Sequence, residues 1–258
     1  YDVLSYTPQF INLNNHSATG AWAANVFGPA NPFADAQEIQ TPETVHRFIG
    51  GGSLSWTVFR TADQSLQFST IGGADYSDER AQIYAPPDLQ LEQSLPSGLP
   101  GVATTMEANT EYLNYSVNLI HHYVFSSIAD ATTSIGLADE RRSFYNPNSV
   151  GQNLVPGQNS FTAGSVQTGY YAQTGLRDFS FYGQEQLLLF DQRLALTGGL
   201  TAQRSSNDGD ASKYYTYPKA SASYRIPHVL PFLDELKARV AYGQSGTEPT
   251  YGVKYSGL

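Results

Sequence analysis

The chain has 258 residues, a formal net charge of −9 and 14% charged residues, against roughly 25% in soluble globular chains. The acid excess excludes the basic face of a nucleic-acid binder. The absence of cysteine excludes a disulfide framework or a thiolate metal site.

Aromatics at 13%, with 18 Tyr and 23 Gly, suit strands that face lipid on one side and a polar lumen on the other. They equally suit a soluble β-sandwich or solenoid. No run of about 18 apolar residues is present, so no helix is long and apolar enough to span a bilayer. Tyr1-Asp2-Val3-Leu4 has neither the basic start nor the apolar stretch of an export signal. The opening on Tyr1 and the stop at Leu258 lead us to expect a piece of a longer protein.

Period-two alternation decides the class, because successive strand side chains point to opposite faces. Eight strands are expected, at about 46–60, 64–79, 108–124, 129–143, 176–189, 192–205, 214–226 and 235–245. The second sets Leu66, Phe68, Thr70, Gly72, Ala74 and Tyr76 against Ser65, Gln67, Ser69, Ile71, Gly73 and Asp75. The third sets Leu113, Tyr115, Val117, Leu119, His121 and Tyr123 against Asn114, Ser116, Asn118, Ile120 and His122. The fourth has a thin apolar face of Ala131, Thr133, Ile135 and Leu137. The fifth places Glu185 among Phe179, Phe181, Leu187 and Leu189, which calls for a bulge or frame change.

Connections alternate in length over the first five. Thr61–Asp63, Phe125–Ile128 and Phe190–Asp191 are short, whereas about 80–107 and 144–175 are long. Ser206–Lys213 and Pro227–Asp234 match each other in length. A membrane barrel sorts its connections this way, with short periplasmic turns and long outer loops. Trp56, Phe59, Tyr76, Tyr123, Phe125, Phe190, Tyr224 and Tyr242 sit near strand ends, as interface girdles require.

Three stretches resemble the TonB-dependent receptors of the SusC/RagA family. The first runs from Asp178-Phe179-Ser180-Phe181-Tyr182-Gly183-Gln184-Glu185 through Leu188-Leu189-Phe190-Asp191-Gln192-Arg193-Leu194. The others are Tyr217-Pro218-Lys219-Ala220-Ser221-Ala222-Ser223-Tyr224-Arg225 and Asp234-Glu235-Leu236-Lys237-Ala238-Arg239-Val240-Ala241-Tyr242-Gly243-Gln244. Upstream, Asn31-Pro32-Phe33 followed by Arg47-Phe48-Ile49-Gly50 is similar to that family's lead into a barrel strand.

The resemblance implies an all-β fold, an antiparallel transmembrane barrel segment of about eight strands from a barrel of about 22 strands whose lumen a plug closes. It implies import of glycan or peptide fragments across the bacterial outer membrane and contact with outer-membrane lipid. The TonB system, acting through the plug, and a SusD-like lipoprotein lid are the implied protein partners. The chain shows no TonB box, plug or terminal aromatic strand end. The expected organisation is therefore an extracellular loop region at 1–45 and a partial barrel at 46–258, with plug and barrel C-terminus absent. The alternatives are a complete small eight-stranded outer-membrane structural or adhesion barrel, and a soluble all-β carbohydrate-binding module.

No enzymatic activity, catalytic residue, cofactor or metal is expected. His121 and His122 are strand neighbours on opposite faces and cannot chelate one ion. Asn207-Asp208-Gly209-Asp210 lacks the distal Glu of a calcium loop and reads as a hairpin turn. Gly50-Gly51-Gly52 is not followed by Lys-Ser/Thr and reads as a bend or close approach rather than a phosphate loop. Asp139-Glu140-Arg141-Arg142 reads as a self-neutralising solvated rim, with substrate contact as the rival reading. No G-x-S-x-G elbow is present. Substrate-binding residues stay unassigned; the ring candidates for ligand contact are Tyr84, Phe144, Tyr145, Tyr170, Tyr171, Tyr214 and Tyr215.

Overall fold

The structure is a computed structural model that describes residues 7–126, 128–230 and 233–253, with the side chains of 228–230 and 233–234 outside that description. The start read as Tyr1–Leu4, the stop at Leu258, Ser127 of one short turn and Pro231-Phe232 of another lie outside it.

Eight antiparallel strands form one sheet in the order β1 to β8, each paired with its sequence neighbours. They are β1 Glu43–Arg60, β2 Gln64–Ala85, β3 Val102–Ser126, β4 Ala129–Leu154, β5 Gly164–Leu189, β6 Leu194–Ser205, β7 Tyr215–Leu230 and β8 Leu233–Gly243. Among the described residues two short α-helices, α1 Pro32–Glu38 and α2 Gln90–Gln93, interrupt the irregular segments. Among the described residues β1 and β8 are sheet edges, so the closure that a complete eight-stranded barrel needs is not made. A sandwich needs a second facing sheet, and the described strands form one sheet.

The strands run further than the sequence pattern indicates. Much of the segments read as loops at 80–107 and 144–175 is strand: β2 continues to Ala85, β3 begins at Val102, β4 reaches Leu154 and β5 begins at Gly164. Beyond the height where one face must be apolar, alternation is no longer required, so the signal fades although pairing continues. The longer strands also sharpen the parity of the connections. Residues 61–63, 127–128, 190–193 and 231–232 link alternate pairs, against 86–101, 155–163 and 206–214 between them.

The β5–β6 register runs unbroken from Asp178 opposite Ser205 to Leu189 opposite Leu194. The expected bulge at Glu185 is therefore absent. Glu185 lies on the apolar face, where its carboxylate accepts a bond from the Thr133 hydroxyl at 2.6 Å. A polar partner on the neighbouring strand replaces the frame change.

The chain divides into two compact units. One comprises Tyr1–Arg47, Ser77–Thr110 and Phe144–Gln173. Its core joins Ala34 of α1, Ala85 and Leu89, with Trp22, Ile39 and Val102 packed around them. Asn31 is 1% exposed. Its side-chain oxygen caps α1 by accepting from Phe33 N at 3.0 Å and from Ala34 N, a cap that Pro32 at the first helical position complements. Its amide donates to Leu13 O and Ala23 O, each at 2.8 Å. Gly101 has a φ of +82°, and a Cβ there would meet Pro87 Cβ at 2.8 Å. Glycine is thus required twice over, by conformation and by space.

The same unit holds one buried carboxyl, Glu92, and one half-buried carboxyl, Asp35. Burial raises the Glu92 carboxyl above its usual range and the charge of Asp35 adds to that, while the Gly101 N–H bond to Glu92 Oε2 at 2.9 Å opposes both. Asp35 is raised by burial as well, and its Oδ1 has no hydrogen-bond partner. A carboxyl whose folded pKa lies above its unfolded value stabilises the fold at low pH and loses that contribution as pH rises through the folded value. Amide protection of residues 30–40 and 86–101 is expected to be higher near about pH 4 than near about pH 7. Glu92→Gln should remove part of that slope, as hydrogen exchange at the two pH values will read.

The second unit comprises Phe48–Tyr76, Glu111–Ser143 and Thr174–Leu258. It contains the strand segments nearest the short turns and has almost no interior. Its described buried hydrophobics are Ala131 and Ala202 alone. Leu54, Trp56, Ile135, Phe181, Leu200, Leu236 and Val240 are exposed instead.

Candidate functional site

Register assigns the two faces of this unit. Leu187 faces Leu196, Gly183 faces Leu200, and Phe181 faces Ala202. Leu196 then faces Ala222 and Leu200 faces Pro218, and Ala222 faces Val240 with Ala220 against Tyr242. Val117, Leu119, Ile135, Leu137, Phe181 and Leu200 line one continuous apolar hollow on this side. The opposite side carries Gln184, Gln186, Thr197, Thr201 and Gln203, then Lys219, Ser221, Ser223 and Arg225, and finally Lys237 and Arg239.

Hydrogen bonds knit the polar side. Gln67 Nε2 donates to Ser55 Oγ at 3.0 Å, and the Tyr182 hydroxyl donates to Asn118 Oδ1 at 2.8 Å across β4. That crossing is possible because residue 136 is glycine: a Cβ there would stand 2.6 Å from the Tyr182 ring and clash with the Asn118 side chain. Gly136→Val is expected to displace the ring and cost about 1–3 kcal/mol, the usual penalty of overpacking. Urea unfolding of the variant beside Tyr182→Leu will check it, the pair being non-additive.

Near the long connections the polar side forms a hollow of about 240 Å³ lined by Gln203, Ser205, Asp208, Tyr215, Tyr217, Gly246, Thr247, Glu248 and Pro249. Gln203 Nε2 donates to Glu248 Oε1 at 3.0 Å, and Asn207 Nδ2 donates to Pro249 O at 2.8 Å. Burial first, then the charges of Asp178 and Asp208, raise the Glu248 carboxyl. Two tyrosine rings beside acceptors and an amide donor can stack and hydrogen-bond a neutral or cationic solute. No sequence motif marks this hollow, since its residues come from β6, the β6–β7 connection, β7 and the segment after β8.

The sequence candidates scatter. Tyr215 lines the hollow, with Lys213 Nζ 5.0 Å from its ring centroid. Tyr145 and Tyr171 pair at 6.2 Å in the other unit, where Tyr170 is exposed and Phe144 half-buried. Tyr84 bridges Gln40 through its backbone at a strand end. Tyr214 turns to the apolar side, 5.4 Å from Phe181. Arg204 also stands over its ring, 5.3 Å from the centroid.

His121 contacts Gln64 at 3.3 Å and stands 6.4 Å from Phe59 and 6.3 Å from Tyr123, whereas His122 meets Thr132 at 3.2 Å. Tyr123 continues the ring series to Phe125 at 4.6 Å. Asp208 Oδ2 accepts from Ser205 N at 2.9 Å and Asp210 Oδ1 accepts from Ser212 N at 2.9 Å, so both carboxylates serve the turn. A Cβ on Gly51 would stand 3.0 Å from Gly72 O, a close backbone approach.

The Asp139–Arg142 cluster is not a uniformly solvated rim. Asp139 is buried to 1% side-chain exposure between Arg141 and Arg177, both about half exposed. Arg142 pairs with Glu140 and lies 5.4 Å from the Tyr112 ring centroid. The buried member escaped sequence reading because its main partner is 38 residues away and only pairing brings it near.

Three solved structures share the architecture, which shows the fold. A structure of the RagAB peptide transporter matches with a TM-score of 0.66 and 11% identity, over 87% of this chain and 26% of that one. The RagAB peptide importer in its closed-closed state gives 0.64 and 12%, and in its open-open state 0.61 and 11%, each over 88% of this chain and 26% of the other. The chain thus spans about a quarter of those chains' length. No curated protein matches it. The family model described as TonB dependent receptor-like, beta-barrel covers residues 2–258, a family of outer-membrane receptors and not of enzymes. With an apolar outer face, a polar inner face and turns sorted by parity, the chain belongs to the TonB-dependent receptor-like β-barrel family.

Proposed function

We propose that the chain is part of the barrel wall of an outer-membrane active importer. One observation carries this: most large apolar side chains of the second unit fall on one sheet face, and among the described residues that face meets no second sheet. In water such a face would be an aggregation liability; against acyl chains it is satisfied. The other face, rich in Ser, Thr, Asn and Gln, lines the solute route. It carries no covalent chemistry.

In this reading the segment 1–45 with the long connections lies outside the cell and the remainder is barrel. A plug, driven through the TonB system, and a SusD-like lipoprotein lid complete the machine. The cargo is a glycan or peptide fragment. Peptide is the first to test, because the solved relatives are described as peptide transporters. The hollow at Tyr215, Tyr217 and Glu248 supports a solute with donors.

The experiment is uptake of labelled oligosaccharide and oligopeptide mixtures by cells with and without the complete gene, and with TonB removed. Uptake that needs both supports importer function. A complete protein that stays in the soluble fraction would sink it.

A further inference from the structure

We infer that the outward face carries a site for the phosphate of a membrane lipid, formed by Arg141, Arg177 and Arg204; this rests on the barrel reading above. Arg177 Nε and a terminal nitrogen donate to Asp139 Oδ2 at 3.0 and 2.6 Å, and Arg141 Nε donates to Asp139 Oδ1 at 3.0 Å. One carboxylate holds two guanidiniums side by side and leaves donors on each free to turn outward. Asp139 is a positioning residue, too buried to face a ligand.

Arg204 joins them by register. It lies opposite Phe179, so it stands one diagonal step from Arg177 on the same face. Its guanidinium rests 5.6 Å from the Phe179 ring centroid and 5.3 Å from that of Tyr214. Among the described residues it is held by rings and not by a carboxylate. Arg141, Arg177, Leu113, Ser143 and Gly175 line a notch of about 430 Å³, and the exposed carboxylate of Glu111 lines it too. Three guanidiniums on this face thus stand against Glu111 and the buried Asp139, while Arg142, which also lines the notch, is paired with Glu140.

Height selects the occupant. Arg177 is twelve residues from Leu189 along β5, Arg141 twelve from Ala129 along β4, and Arg204 ten from Leu194 along β6. At about 3.3 Å per residue and a tilt of about 40°, that is roughly 25–30 Å from the short turns. The apolar band of a barrel is about 25 Å tall. The arginines therefore sit where the hydrocarbon ends and phosphates begin, directly beyond Ile135, Leu137, Phe181 and Leu200, against which acyl chains would lie. Planar guanidiniums grip phosphate through paired donors. A soluble anion would gain nothing from the apolar hollow below.

The test uses the complete protein, stripped of lipid in non-ionic detergent, and counts bound phosphatidic acid by native mass spectrometry. Wild type is expected to retain it, and Arg141→Gln with Arg204→Gln to weaken retention about tenfold or more, each lost charged hydrogen bond being worth about that factor. Phosphatidylcholine, whose choline masks the phosphate, should bind more weakly and change less. Unchanged retention in the double variant would overturn the site, as would displacement of the lipid by an equal concentration of inorganic phosphate. Heat-modifiable migration of wild type and variant shows that the barrel is folded. A wild type that lacks it and leaves the bilayer in a carbonate wash sinks the barrel reading and this one together, whereas an inserted barrel with indifferent lipid binding sinks this one alone.

Discussion

Arg177→Met is expected to cost the folded sheet about 3 kcal/mol, and Asp139→Asn only about 1 kcal/mol. The asymmetry follows from which charge has lost its water. Asp139 is buried, while the arginines around it keep about half of their side-chain surface. Removing Arg177 takes two of the three bonds that hold the carboxylate and leaves Arg141 as its remaining ion-pair partner. Breaking a buried pair by deleting one member costs about 3–5 kcal/mol, and the surviving Arg141 moves the expectation to the lower end. Asn at 139 sheds the buried charge and still offers an acceptor, while the freed guanidiniums turn to solvent. Urea unfolding of the complete protein in lipid vesicles measures both. Equal costs, or a larger one for Asp139→Asn, would mean that the carboxylate is not the desolvated partner.

Asn31→Ala is expected to cost the irregular unit about 3 kcal/mol. Loss of a helix cap accounts for about 1 kcal/mol. The carbonyls of Leu13 and Ala23 lose their amide donor, which adds about 1 kcal/mol or more each when nothing replaces it. Asn31→Asp separates the terms, because a carboxylate still caps α1 but cannot donate. It should fall between wild type and Asn31→Ala. Hydrogen exchange at Ala34 and Asp35 reads the effect, and chymotrypsin cleavage at the exposed Phe27 and Phe33 gives a second measure. A fully protected α1 in Asn31→Ala would show that packing by Ala34 and Leu89 suffices without the cap.

The strands near the short turns were legible because one chemical demand acts on them at every second residue. Leu113, Tyr115, Val117 and Leu119 had to be apolar, while Asn114, Ser116 and Asn118 did not. The distal continuations were not legible. From Phe144 to Leu154 the sequence reads Phe-Tyr-Asn-Pro-Asn-Ser-Val-Gly-Gln-Asn-Leu, without alternation, yet it is strand throughout. Where neither face must meet lipid, backbone pairing alone holds the strand, and backbone pairing leaves little mark on side-chain identity. Glu185 shows the converse. An apolar face with one acid in it suggested a slipped frame, whereas Thr133 on the adjacent strand satisfies the acid in place.

The order of residues by itself determined the period, the parity of the turns and which side of each ribbon is greasy, because these are local consequences of alternating side chains and of short polar interruptions. Tertiary structure alone decided which charges meet. Asp139 with Arg177, Arg204 over Phe179, and Tyr182 across Gly136 to Asn118 depend on the register between strands distant in sequence. A slip of one residue would send each of these side chains to the opposite face, and the length and hydropathy of a single strand contain no information about that choice.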